Sequence, residues 1–169
     1  MDKSQEIAEA LSELDHVVQE SWGLKLVRNL DWHTNPFHVI AASVEDGFDL
    51  NIGGNSFQFL SQEYIESLQY MFEDIPGFIE KAGFTIASAQ DVHPIYVSKN
   101  ELSVWGALAG ATSSWYFGES IPQFINAVRD CFLKCQGIES AQENKELALT
   151  VLKQYPKIDK DGWLEYFYG

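Results

Sequence analysis

The sequence predicts an α+β fold: a single domain in which a mostly antiparallel sheet is combined with an N-terminal helix, a mid-chain helix and C-terminal helices. Three observations lead there. Apolar residues recur with helical spacing at both ends of the chain, while the middle alternates or runs apolar between turn signals. The 169 residues suffice for one domain with a buried core. The hydrophobic fraction of 46% and aromatic fraction of 14% supply burial that a disordered chain of net charge −14 would lack. Residues 1–169 therefore read as one globular domain, without internal repeat, low-complexity tract or linker.

The elements follow in order. Residues 4–21 form an amphipathic helix, because Ile7, Leu11, Leu14 and Val18 share one face. Glu6, Glu9, Glu13 and Glu20 lie on an adjoining solvent-side stripe, and Gly23 is a stop. Phe37 to Ser43 is apolar and strand-like, Glu45-Asp46-Gly47 is turn chemistry, and Phe48 to Ile52 alternates as a half-buried strand. The two segments read as a hairpin, ended by Gly53-Gly54-Asn55. The Gly pair is too sparse for a phosphate loop.

Ser61 to Asp74 is the mid-chain helix, with Ile65, Leu68 and Phe72 on its core face. Phe78 to Ala82 adds about one turn, capped by Gly83. Phe84 to Ser88 and Pro94 to Ser98 are strands, and Lys99-Asn100 is a turn. Leu102 to Ala107 and Ser113 to Phe117 suit either a hairpin or one helix. The hairpin is preferred, since Val104, Trp105, Trp115, Tyr116 and Phe117 favour strands.

Ser120 and Gln123 fit a capping box with Pro122 in the first turn, so a helix starts there and ends at Gly137. Its buried face includes Cys131 and Cys135. Ser140 and Glu143 form a second capping box for a helix that stops at Tyr155-Pro156. The tail, with Trp163, Leu164 and Phe167, folds back onto the core, because that much exposed aromatic surface would be costly.

Charge is the main functional signal. Residues 1–80 carry fifteen acids and three bases, whereas residues 81–169 carry ten acids and eight bases. The stretch Asn29–Glu80 holds nine acids and no Lys or Arg. Such a surface disfavours direct binding to nucleic acid and to anionic membranes, and favours a basic protein partner. Acidity also serves solubility. Met1-Asp2-Lys3 runs into a polar helix with none of the apolar core of a signal peptide, and the longest uncharged run is too polar for a membrane span. The expected location is cytoplasmic, with both cysteines as reduced thiols.

Chemistry leaves a weaker trace. His16, His33, His38 and His93 stand outside any recognisable catalytic motif, and no GxSxG or HExxH is present. The reading is not an enzyme: no catalytic residue, metal ligand or cofactor is expected. The candidate partner-binding residues are acids with one aromatic. Glu45, Asp46 and Asp49 belong to the first hairpin, and Glu63, Glu66, Tyr70, Glu73 and Asp74 to the mid-chain helix. Carboxylates there would steer and pair while the ring adds contact area.

A small, acidic α+β domain with an acidic–aromatic face at Glu63 to Asp74 and a strand-to-helix passage from Trp115 to Phe124 resembles the immunity proteins of bacterial polymorphic-toxin and contact-dependent growth inhibition systems. That resemblance implies binding and neutralisation of a cognate basic toxin domain, with a nuclease favoured because its substrate groove must be basic. Three alternatives stay open: a nucleic-acid mimic that inhibits a DNA- or RNA-binding protein, an enzyme with an unrecognised site, and a solvated domain with a purely structural role.

Overall fold

The strands of the sheet pair in the order in which they occur along the chain. The computed structural model describes residues 3–18, 48–52, 55–59, 82–89, 93–108 and 114–169. Within these, β1 (Phe48–Ile52), β2 (Asn55–Phe59), β3 (Ala82–Ala89), β4 (His93–Ser98), β5 (Val104–Ala107) and β6 (Ser114–Gly118) form one six-stranded antiparallel sheet. An N-terminal helix, α1 (Lys3–Val18), precedes it, and α2 (Ile121–Cys135), α3 (Ala141–Leu152) and α4 (Lys160–Tyr168) follow. The architecture is the expected α+β one. The expected strand at Phe37–Ser43 and the mid-chain helix at Ser61–Asp74 lie outside the described residues.

Two expectations are corrected. Asn55 does not end a hairpin; it opens β2, whose partner is β1, with Ile52 opposite Asn55. From Ser56 to Phe59 polar and apolar residues alternate, which is the pattern of a half-buried strand. Ala82 and Gly83 do not close a helical turn either, since both belong to β3. The expected hairpin at residues 102–117 is present, with Trp105 opposite Tyr116 and Gly106 opposite Trp115.

The first two helices that follow the sheet start where the sequence places them; α3 ends at Leu152, short of the expected Tyr155-Pro156, and the expected end of α1 at residue 21 and Gly23 lies outside the described residues. Ser120 caps α2 through its Oγ, which accepts from the Gln123 N–H at 3.3 Å, and Gln123 Oε1 reaches back to accept from the Glu119 N–H at 2.7 Å. Ser140 caps α3 by accepting from the Glu143 N–H at 3.3 Å. Gly137, just past α2, has a φ of +78°, the left-handed turn that glycine makes without steric cost. The C-terminal tail is itself a helix, α4, capped by Asp159, whose Oδ1 accepts from the Gly162 N–H at 2.9 Å.

Helices and sheet meet in an aromatic core. Phe57 from β2, Phe117 from β6, Phe124 from α2 and Trp163 and Phe167 from α4 are all fully buried. Phe117 and Phe124 stack with centroids 6.4 Å apart, and Phe117 meets Trp163 at 5.2 Å. Phe57 and Phe117 both touch the Phe167 ring, at 5.5 and 5.7 Å. In a flat sheet their strands, four steps apart, would stand about 19 Å from one another. The Phe167 ring therefore bridges side chains that reach toward it from β2 and from β6. Helix α1 packs on α2 through Ile7, Ala10, Leu11 and Leu14, all buried at helical spacing. Among the described residues no helix is long and apolar enough to cross a membrane.

Two glycines make the close packing possible. A Cβ on Gly106 would lie 2.1 Å from the Phe117 ring, and one on Gly162 would lie 2.1 Å from the Trp115 ring. We expect Gly106→Ala and Gly162→Ala each to lower stability in urea titrations by about 1–3 kcal/mol, the usual penalty for an overfilled core. Gly137→Ala meets no neighbour and should lose only about 1 kcal/mol, from backbone conformation alone. Equal losses at all three positions would show that the rings can move aside.

Candidate partner-binding cleft

The tight turn between β4 and β5 carries the first wall of a small cleft. The Ser98 N–H donates to the Ser103 carbonyl at 2.9 Å, and the two hydroxyls are 2.9 Å apart. This double clasp holds Leu102 at a φ of +57°, the one positive φ at a non-glycine position among the described residues. The left-handed region costs a branched L-residue roughly 1–2 kcal/mol. It persists only where surrounding bonds over-determine it. Leu102 then lines the cleft, half-buried, with Glu101 exposed beside it.

The second wall is the start of α2. The Ser120–Gln123 cap fixes the turn out of β6, so Ile121 and Pro122 face the cleft and Glu119 stands at its edge. Glu119 sits where the helix presents its positive end, a favourable place for a carboxylate. Helix α1 supplies the third wall through buried Ile7 and exposed Glu6. The cleft encloses about 110 Å³. Its floor is apolar, Ile7 and Ile121, with Leu102 and Pro122 on the sides, and its rim carries three carboxylates.

The charges at this rim reach their neighbours. Lys157 Nζ is ion-paired with Glu119 Oε1. The Tyr116 phenol is pushed above its ordinary value, first by burial and then by the negative charge of Glu101. Tyr116 stands edge-on to Trp105, with centroids 5.2 Å apart. The Trp105 indole N–H donates to Ser103 Oγ at 2.9 Å, which ties that aromatic pair to the turn carrying Glu101.

A second, wider groove lies between α1 and α2, lined by Glu13, His16, Arg129 and Leu133. Its charges are already satisfied. Arg129 is paired with Glu13 and, at 3.0 Å, with Asp130, and Asp130 accepts from the Tyr155 hydroxyl at 2.6 Å. This network binds α1 to α2 and to the turn after α3, so its polar groups are committed to holding the fold.

Of the acidic residues expected to bind a partner, Asp49 lies in β1, where its backbone pairs with Gln58. Glu45, Asp46, Glu63, Glu66, Tyr70, Glu73 and Asp74 lie outside the described residues. The carboxylates the structure does bring together are Glu6, Glu101 and Glu119. Sequence reading placed Glu6 on a solvent stripe and Glu119 within the strand-to-helix passage from Trp115 to Phe124, and passed over Glu101. Only tertiary folding unites them, so no local signal could have found the cleft.

Among the described residues, the two cysteines and His93 pack into the fold. Cys131 and Cys135 are free thiols, and Cys131 is raised by burial first and by neighbouring negative groups next, which suits an unreactive buried thiol. Cys135 Sγ lies 3.5 Å from the Asn144 carbonyl and 3.8 Å from the Tyr168 hydroxyl. His16 is exposed on α1, while His33 and His38 lie outside the described residues. His93 opens β4; its carbonyl accepts from the Tyr166 hydroxyl, its ring meets Tyr166 edge-on, and burial lowers its pKa. No protein-family model, curated protein or solved structure matches this chain.

Two titrations follow. A phenol raised in the fold adds stability below its unfolded value of 10.0, and that stability is lost as pH rises through the folded value. In alkaline absorbance titrations, Tyr116→Phe should remove one late-ionising phenol, and Glu101→Gln should make that phenol ionise earlier. An unchanged profile in Glu101→Gln would separate the two groups. His93 has the opposite sense. Its neutral form is favoured by the fold, so its contribution is present above 6.5 and is lost as pH falls through the lowered value. Urea midpoints measured from about pH 7.5 to about pH 5.5 should fall less in His93→Gln than in the parent chain.

Proposed function

We propose that this chain is an acidic protein-binding module: an immunity protein that binds and neutralises a cognate basic toxin domain, most simply a nuclease. The observation that carries the reading is the cleft rimmed by Glu6, Glu101 and Glu119 over an apolar floor, set in a chain of net charge −14. A basic protein surface complements both features. The overall charge speeds encounter and disfavours acidic partners. The cleft gives the encounter a place to become specific, because apolar contact and charge pairing coincide there. A nuclease suits the reading because the groove that holds a phosphate backbone must be basic, and an acidic protein competes for it or for a surface beside it.

The proposal also assigns the acidic residues of the first 80 positions, including Glu45, Asp46, Asp49, Glu63, Glu66, Glu73 and Asp74, to the same attraction, with Tyr70 as an aromatic contact. A cytoplasmic site of action fits a protein that guards its own cell against an incoming toxin.

The test is capture of a partner from the native cells at low salt, followed by a salt gradient, with the products of adjacent genes included. We expect a basic protein to elute stoichiometrically as salt rises, and its toxic or nuclease activity to fall when this chain is added back. Charge reversal at the cleft, Glu6→Lys with Glu101→Lys, should move elution to lower salt. A chain that captures no basic protein at any salt would overturn the reading.

A further inference from the structure

We propose that the cleft at the start of α2 is a receptor for one arginine side chain presented by the basic partner. This rests on the binding reading above and specifies the chemistry recognised at that site.

Size is the first argument. A cavity of about 110 Å³ is small beside the roughly 300–1,000 Å³ of pockets that enclose metabolites or cofactors. It suits a single extended side chain. The distribution of atoms is the second. The floor and sides, formed by Ile7, Ile121, Leu102 and Pro122, offer aliphatic surface to a three-carbon stem. Glu6, Glu101 and Glu119 line the same cleft and are exposed, so they are the charged groups available to the head of such a side chain. Basic side chains bury their stems and keep their charge at the edge in this manner.

Charge complementarity is the third argument. The chain's own Lys157 reaches this cleft from outside, ion-paired with Glu119. That lysine pairs with one of the three carboxylates, and Glu6 and Glu101, both exposed, are the other two that line the cleft. A guanidinium matches two separated carboxylates better than an ammonium does. It presents five donors in a planar fork, is more weakly hydrated and lies flat on apolar surface. The backbone supports the same view. Ser98 and Ser103 hold Leu102 in its left-handed conformation, which sets the side wall in place before any partner arrives. A preset wall lowers the ordering cost of binding.

The test uses N-acetyl-arginine methylamide as the probe, titrated into the full chain and followed by methyl and amide NMR. The neutral isostere N-acetyl-citrulline methylamide and the lysine analogue are run in parallel. We expect saturable shifts centred on Ile7, Leu102 and Ile121 for the arginine probe, weaker ones for lysine and none for citrulline. Glu101→Gln should weaken the arginine probe about fivefold, the effect of removing one partly exposed charge pair. Leu102→Gly retains the backbone conformation while removing the side wall, and should abolish the shifts with the amide spectrum otherwise intact. Lys157→Gln frees Glu119 and should tighten the probe. Equal responses to arginine and citrulline, or shifts indifferent to Glu101→Gln and Leu102→Gly, would overturn the proposal. The two readings fail separately. A salt-sensitive basic partner that binds Glu101→Gln and Leu102→Gly as well as the parent chain refutes the arginine receptor and leaves the binding module standing.

Discussion

The close approach of α4 to the end of the sheet is the constraint on which the rest depends. Gly162 allows the Trp115 ring to lie against the helix backbone, and that brings Trp163 and Phe167 onto Phe117. Each buried aromatic contributes a few kcal/mol through the area it removes from water. The Trp163 indole N–H finds no hydrogen-bond partner among the described residues. The packing of that ring thus outweighs the cost of a dry donor, roughly 1–3 kcal/mol. The same approach covers a sheet edge. The Asp159 N–H donates to the Tyr116 carbonyl at 2.9 Å, so part of β6's outer edge is unavailable to another strand.

From that anchored edge the chain has little freedom. Phe117 is fixed in the core, Gly118 leaves the sheet against the backbone of α2, and Ser120 caps the helix three residues after Phe117. Glu119, Ile121 and Pro122 therefore inherit their positions from the core rather than from the surface. Gly106 performs the corresponding role on β5, where its missing side chain seats the Phe117 ring. The cleft is built at the junction of these two constraints. A substitution deep in the aromatic cluster should then disturb the cleft, although it touches none of its lining.

The elements that were legible in the sequence are those whose signals are local. Ser120, Gln123 and Gly137 mark both ends of α2 because capping is decided within four residues. Val104, Trp105, Trp115 and Tyr116 announce a hairpin because β-branched and aromatic side chains suit a pleated surface. Strand β2 was obscured because Asn55, Ser56 and Gln58 are poor strand formers, and its register comes from pairing with β1 and β3. Ala82 and Gly83 look like a helix end locally, yet pairing with β4 draws Ala82 into β3 opposite Ser98. Trp163, Tyr166 and Phe167 have helical spacing, but too few residues surround them for the period to stand out. The cleft was the least legible part. Glu6, Glu101 and Glu119 come from three separate stretches, and only packing of α1 against α2 brings the first to the other two.

The acidity of the first 80 residues and the geometry of the cleft do different work in the proposed binding. Charges spread over a surface act on a partner only within about 8–10 Å at physiological salt. They raise the encounter rate and are nearly indifferent to which basic surface arrives. Exposed ion pairs add at most about 1 kcal/mol each, as the Lys157–Glu119 pair illustrates with both side chains in water. Affinity and selectivity must then come from somewhere water is excluded. The cleft is such a place, because seating an aliphatic stem on Ile7 and Ile121 displaces solvent from beside Glu6 and Glu101 and strengthens the pairing at its head. A partner that carried the same net charge without a side chain to fill the cleft would arrive as quickly and leave sooner, so selectivity would appear in the dissociation rate.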